Sequence, residues 1–180
     1  SALASKAVVS FGVDFDVSTT PPNEIILNRG TGFTTTFDGT AYNFVAVDDI
    51  KAQVVNYRAQ FTDIPIYEGN FVTDTYTVSA SRAQRFVIKN PSADISSLRV
   101  RVFPSIQATS ATVFARSDSI LDISGSSDVY YVEEIEDEQY EIFFGDGVLG
   151  RALEAGNKVE ITYLSTNGST PNGARTFNFN

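Results

Sequence analysis

Gly145-Asp146-Gly147-Val148-Leu149-Gly150 follows the strand-like run Glu141-Ile142-Phe143-Phe144 and matches the G-x-G-x-x-G spacing of phosphate-binding loops. Such a loop binds pyrophosphate because a helix of several turns begins inside it and aims its positive end at the anion, with an acid about 20 residues on for the ribose. Here only Arg151-Ala152-Leu153-Glu154-Ala155 intervenes before Gly156, and the residues around Thr170 include no acid. A kinase glycine loop is excluded too, since no Val-Ala-Ile-Lys strand follows. Gly145, Asp146, Gly147 and Gly150 therefore read as a tight architectural turn whose positive-φ glycines let two strands or two lobes approach closely. No cofactor is expected.

A second cluster with possible chemistry is acidic: Glu133, Glu134, Glu136, Asp137, Glu138 and Glu141. A glycosidase needs two carboxylates facing one cleft, about 5 to 9 Å apart. Adjacent strand residues point to opposite faces, which leaves Glu134 and Glu136 as the local same-face pair. Nothing nearby supplies an aromatic platform or an environment that would raise one pKa, so the cluster reads as a solvated edge. The loop Asp122-Ile123-Ser124-Gly125-Ser126-Ser127-Asp128 resembles a calcium loop only loosely, lacking the 12-residue ligand spacing and the terminal bidentate Glu. The chain has no Cys and no His, which removes thiol nucleophiles, thiolate metal sites, and the commonest general base and zinc ligand. Its net charge of -9 disfavours a nucleic-acid partner. No apolar run approaches the roughly 20 residues of a membrane helix, and the many Phe and Tyr fall mostly at alternating positions that suit core packing.

The elements that must position these residues have a period of two. Leu98-Arg99-Val100-Arg101-Val102, Lys158-Val159-Glu160-Ile161-Thr162-Tyr163 and Thr75-Tyr76-Thr77-Val78 alternate as half-buried strands do. The stretch from Lys51 to Phe61 is also read as strand, because Val55, Tyr57, Ala59 and Phe61 alternate with polar residues. Asp38-Gly39 between β-formers is a two-residue hairpin signal, and residues 129–135 against 139–144 form a hairpin closed by Glu136-Asp137-Glu138. Further turns fall at Pro21-Pro22-Asn23, Asn90-Pro91-Ser92, Asn167-Gly168 and Asn172-Gly173. No segment offers a capped helix longer than two turns. The fold class is all-β, with two β-sandwich-like lobes of mainly antiparallel strands, residues 1–80 and 81–180, meeting near Ser79-Ala80-Ser81. The opening Ser1-Ala2-Leu3-Ala4-Ser5 lacks an initiator Met and the regions of a signal peptide, so the chain reads as an excised or processed piece.

Charge divides sharply along the chain. Residues 82–116 hold six basic residues against one acid, whereas residues 117–150 hold ten acids and no Lys or Arg. Solvated strand faces would account for this, as would complementary contact surfaces between subunits. On the second reading Arg99 and Arg101, on one strand face, and Asp137 and Glu138, crowning the acidic hairpin, are the candidate protein-interface residues.

Six runs in order complete the sequence picture: Asn28-Arg29-Gly30-Thr31-Gly32-Phe33-Thr34-Thr35, Ile64-Pro65-Ile66-Tyr67-Glu68-Gly69, Arg85-Phe86-Val87-Ile88, Asp128-Val129-Tyr130-Tyr131-Val132, residues 144–150, and Tyr163-Leu164-Ser165-Thr166-Asn167-Gly168. Over residues 24–177 the chain resembles the middle-to-C-terminal part of the baseplate wedge protein family of T-even-type contractile-tailed bacteriophages, within the broader baseplate J-like family. The resemblance implies a structural, non-enzymatic virion protein of the tail baseplate. Its partners would be other baseplate wedge proteins and a second copy of itself. It would join wedges into a ring around the tail hub and rearrange on sheath contraction, with no nucleic acid, membrane, metal or small-molecule substrate. The chain departs from the family in being shorter and lacking helical parts. A β-sandwich adhesin or carbohydrate-binding module of a phage tail or bacterial surface is the alternative.

Overall fold

Alternating residues become strands wherever turn chemistry lets the chain reverse. The computed structural model describes residues 2–80, 84–118 and 121–179. Their strands in chain order are β1 (Lys6–Asp14), β2 (Glu24–Leu27), β3 (Gly32–Phe37), β4 (Thr40–Ala46), β5 (Ile50–Val55), β6 (Arg58–Glu68), β7 (Asn70–Thr77), β8 (Arg85–Ile88), β9 (Ala93–Phe103), β10 (Thr112–Arg116), β11 (Val129–Glu134), β12 (Tyr140–Phe144), β13 (Lys158–Ser165) and β14 (Asn178–Phe179). Among the described residues the one helical element is the 3₁₀ turn Glu136–Glu138 between β11 and β12. Ser81 and Arg82, assigned above to the lobe boundary and the basic stretch, lie outside the described residues.

The chain forms two compact units, and the first is discontinuous: it comprises Leu3–Asn70 and then the C-terminal residues from Thr166, while Phe71–Ser165, together with Ala2, build the second. This division differs from the expected one near Ala80. The reason is local, because β6 and β7 are separated by Gly69 alone, at φ 135°, so no loop or polar run marks the crossing.

In the first unit the sheet order is β14-β3-β4-β6-β5-β2, with β1 also on β6. The 11-residue β6 is the axis. It pairs with β1 from Arg58 to Tyr67, with β5 at Arg58 and Ala59, and with β4 at Ile66 to Glu68. Asp38 and Gly39 have φ of 52° and 76°, the left-handed pair that closes a two-residue hairpin between β3 and β4. The Lys51–Phe61 stretch is strand, as expected, but it is two strands: Asn56 and Tyr57 take φ of 51° and 63° and reverse the chain. Ala59 and Phe61 consequently enter the core, whereas Val55 stays 65% exposed. A bulge offsets β1 between Val9 and Phe11, and there the Asp63 N–H donates to Ser10 Oγ at 2.8 Å.

The core of this unit is aromatic and fully closed around Phe44 and Ile66, each contributing roughly 1.5–3 kcal/mol by leaving water. Phe11 of β1 reaches Phe33 of β3 at 5.8 Å and Phe179 of β14 at 5.6 Å between ring centroids. Strands remote in the sheet order therefore face each other across one core, which gives the sandwich-like layering.

One buried polar cluster ties the C-terminal return into this unit. Glu68, 2% exposed at the end of β6, accepts at Oε2 from Thr166 Oγ1 and from the Asn167 N–H (2.8 Å), and at Oε1 from Asn167 Nδ2 at 2.7 Å. The Glu68 N–H donates to the Ser5 carbonyl at 2.9 Å, and Ser5 Oγ donates to the Gly168 carbonyl at 2.5 Å. Further along, Thr35 Oγ1 donates to the Thr176 carbonyl and β14 pairs with β3 at Thr34 and Phe33.

The second unit is one sheet in the order β7-β13-β9-β10-β11-β12-β8. The β10–β11 pair is parallel, and β9 with β10, β9 with β13, β11 with β12, and β12 with β8 are antiparallel. Val100 and Val102 of β9, Phe114 of β10, Tyr130 of β11, Ile142 of β12 and Val159, Ile161 and Tyr163 of β13 are buried, as their alternation requires. Tyr76 of β7 meets Phe86 of β8 at 4.6 Å, so the two end strands of the sheet also converge over the core. Burial pushes the Tyr130 phenol above its ordinary value. At a register shift between Thr162 and Leu164, the Leu164 N–H donates to Ser97 Oγ at 2.8 Å, so the displaced backbone keeps a partner.

Replacing Glu68 by Ala strands Thr166 Oγ1 and the Asn167 donors, and is expected to destabilise the first unit by about 2–4 kcal/mol. Thr166→Val removes the hydroxyl that donates to Glu68 and accepts the Gly168 N–H, while Asn167 still engages both Glu68 oxygens, and should cost about 1–2 kcal/mol. Urea denaturation followed by circular dichroism measures both, and equal effects would show that the cluster does not act through its stranded donors.

Candidate functional site

The Gly145–Gly150 turn leaves β12 at Phe144 and is held within the second unit by its own backbone. A Cβ on Gly145 would lie 2.2 Å from the Gly150 carbonyl carbon and oxygen, so the two ends of the turn touch only because no side chain stands between them. Gly147 and Gly150 have φ of 91° and 104°, conformations that disfavour L side chains. Asp146 Oδ1 accepts the N–H groups of Val148 (2.9 Å) and Leu149 (3.0 Å), and Gly147 N–H donates to the Gly150 carbonyl at 2.9 Å. Those N–H groups, first Leu149 and then Val148, hold the Asp146 carboxyl below its ordinary value. The backbone donors that a phosphate would require are thus already directed at the turn's own acid and carbonyl, and residues 151–154 are irregular rather than helical.

The turn is locked to the loop at 124–127. Gly150 N–H donates to the Ser124 carbonyl (3.0 Å), Arg151 N–H to the Ser127 carbonyl (2.8 Å), and Tyr131 Oη to the Leu149 carbonyl (2.9 Å). A Cβ on Gly125 would lie 2.1 Å from the Gly147 carbonyl oxygen. Gly125 and Tyr131 therefore belong to the site, although the sequence showed Gly125 only within the calcium-like loop and Tyr131 only within the run Asp128–Val132, with no signal that tied either to the turn. Asp128, the last residue of the calcium-like loop, forms an ion pair with Arg151 at 2.7 Å. Among the described residues no group of three or more acids is arranged to hold a metal ion.

The acidic cluster is organised differently from the expected Glu134–Glu136 pairing, because the strand ends at Glu134 and Glu136 already begins the 3₁₀ turn. The residues brought opposite each other are Glu133 and Glu141, and Arg85 of β8 reaches both, at 3.7 and 3.0 Å. The same guanidinium lies 4.7 Å from the Phe143 ring centroid, and Phe143 stacks on Tyr131 at 5.3 Å. This basic residue of the +-rich stretch thus neutralises acids of the minus-rich one within a single sheet.

The four residues chosen for an interface fall in two places. Arg99 and Arg101 are half-buried on β9, with Arg101 paired to Glu160 of β13. Arg99 lies opposite Thr162 and, among the described residues, makes no ion pair. Asp137 and Glu138 are exposed at the hairpin tip with φ of 60° and 55°. Strand β10 separates β9 from β11 in the sheet, so the two pairs are not in one cluster.

Gly147→Val is expected to cost more than about 1 kcal/mol through backbone strain alone, since its Cβ would meet nothing within 4 Å. Gly145→Ala should cost about 1–3 kcal/mol by overpacking, and thermal denaturation reads both. The Asp146 contribution has a definite sign with pH: its folded pKa is depressed, so stabilisation is full above the unfolded value of about 3.9 and is lost as pH falls through the folded one. Carbon-detected NMR titration should place the Asp146 midpoint below that of an exposed Asp.

Comparison with protein-family models matches residues 72–172 to "Bacteriophage baseplate wedge protein gp6, third domain". Comparison with curated proteins finds no match. The matched residues cover the second unit nearly end to end, include the Gly145–Gly150 turn, and amount to more than half of the chain. The chain belongs to the family of the bacteriophage baseplate wedge protein gp6, third domain.

Proposed function

We propose that this chain joins neighbouring wedges of a phage tail baseplate into a ring around the tail hub and rearranges when the sheath contracts. The coarser role, a structural part of the baseplate in the virion, goes with the family. The observation that carries the finer reading is the family match running through a whole folded unit and its glycine turn. The ordered runs from Asn28 to Gly168 support placing it with T-even-type contractile tails and the baseplate J-like group. In this proposal the partners are other baseplate wedge proteins and a second copy of the chain, and the Gly145–Gly150 turn is architectural, with no cofactor.

Apolar side chains pack both cores, while Val8, Ile26, Val113 and Val148 are among those that stay exposed, so the outer faces offer apolar as well as charged contacts. In the scheme Arg99 and Arg101 supply a basic contact and Asp137 and Glu138 an acidic one. Exposed pairs contribute only about 0–1 kcal/mol each, so they set orientation and association rate while apolar contacts hold the assembly. Arg99 is the better probe, because Arg101 is already bound to Glu160 within the sheet.

Mixing the chain with neighbouring baseplate proteins and following complex formation by light scattering tests this. Arg99→Glu is expected to slow association several-fold, roughly 3–10-fold, at low salt and much less at high salt. Rates unchanged at every salt concentration would remove the charged contact, and absence of any complex combined with glycan binding would favour the adhesin alternative.

A further inference from the structure

Two Asn-Gly dipeptides lie in the C-terminal return, Asn167-Gly168 and Asn172-Gly173, with glycine φ of 70° and 98°. An Asn before Gly is open to succinimide chemistry because the glycine carries no side chain to hinder ring closure. The Gly nitrogen loses its proton to solvent base and attacks the Asn side-chain carbonyl carbon, forming a C–N bond. The C–Nδ2 bond breaks and ammonia leaves with a proton. Water then adds to either ring carbonyl and opens it to Asp or isoaspartate.

The fold treats the two dipeptides differently. At the first, both reacting groups are held: Asn167 Nδ2, the leaving group, donates to Glu68 Oε1 at 2.7 Å, and Gly168 N, the nucleophile, donates to Thr166 Oγ1 at 3.1 Å. The Asn167 N–H is fixed as well, on Glu68 Oε2 at 2.8 Å. At the second, Asn172 and Gly173 are exposed. Among the described residues neither the Asn172 side-chain amide nor the Gly173 N–H has a hydrogen-bond partner, and only the Asn172 N–H donates, to the Ser169 carbonyl at 3.0 Å. We propose that Asn172-Gly173 is a site of spontaneous deamidation in this protein, and that the Glu68 cluster shields Asn167-Gly168 in the same segment from it.

The product would act on a packed segment. Deamidation puts a negative charge on the turn, and the isoaspartyl form adds a methylene to the backbone just before Ala174 and Phe177, which pack on the first unit's core. Phe177 meets Phe44 at 4.9 Å, so a displaced return loosens a contact of the most buried aromatic of that unit.

The test incubates the whole chain at mildly alkaline pH and maps amide-to-acid conversion by peptide mass spectrometry. In the folded protein Asn172 should convert at least about tenfold faster than Asn167, because hydrogen bonds at Asn167 must open first. In concentrated urea the two should convert at comparable rates, Gly173→Ala should suppress the Asn172 reaction, and Thr166→Val should accelerate Asn167 while leaving Asn172 unchanged. Equal rates in the folded protein, or an Asn172 that converts in urea but not when folded, would overturn the proposal.

Discussion

The buried Glu68 carboxyl is the point on which the first unit depends. An acid at 2% exposure is tolerable only when its oxygens are fully engaged, and here its partners are supplied by Thr166 and Asn167, nearly a hundred residues away in sequence. Burying Glu68 and docking the C-terminal return are therefore one event. With the return docked, β14 extends the sheet beyond β3 and Phe177 and Phe179 close on Phe44, Phe33 and Phe11. The intervening residues Phe71–Ser165 form their own unit, so the first unit behaves as a host whose two segments are joined by side-chain bonds and strand pairing rather than by chain continuity.

The second unit solves the same physical problem, satisfied polar groups at close backbone approach, with glycine in place of a buried acid. Gly125 removes the side chain that would hold the loop at 124–127 off the turn, Gly145 removes the one that would hold the turn's own ends apart, and Asp146, Ser124 and Ser127 accept the backbone donors that these contacts expose. A turn so saturated has little left to offer a ligand and much to offer a rigid scaffold. That is consistent with a family of baseplate structural proteins.

Local physics was legible in the sequence and long-range pairing was not. Alternation in Leu98–Val102 and Lys158–Tyr163 gave the right strands and faces, and Asp38-Gly39 and residues 136–138 marked real reversals. The Asn56-Tyr57 reversal was hidden because Tyr is an unusual occupant of the left-handed region, so one alternating pattern ran across two strands. The first crossing between the units was hidden because a single glycine carries it. At the site, positive φ at Gly147 and Gly150 followed from residue type, whereas the contact with Gly125 required the fold. The acids and arginines were visible as a charge split, yet their pairings, Arg85 with Glu133 and Glu141 and Arg101 with Glu160, depend on which strands become neighbours.

Native-state hydrogen exchange tests directly whether the return is integral to the first unit. The Asn167 and β14 amides should exchange with the same opening free energy as the amides of β4 and β6, because Glu68 cannot stay buried once the return leaves. Fast exchange over residues 166–179 while β4 and β6 remain protected would contradict it, showing that the first unit stands without its C-terminal segment.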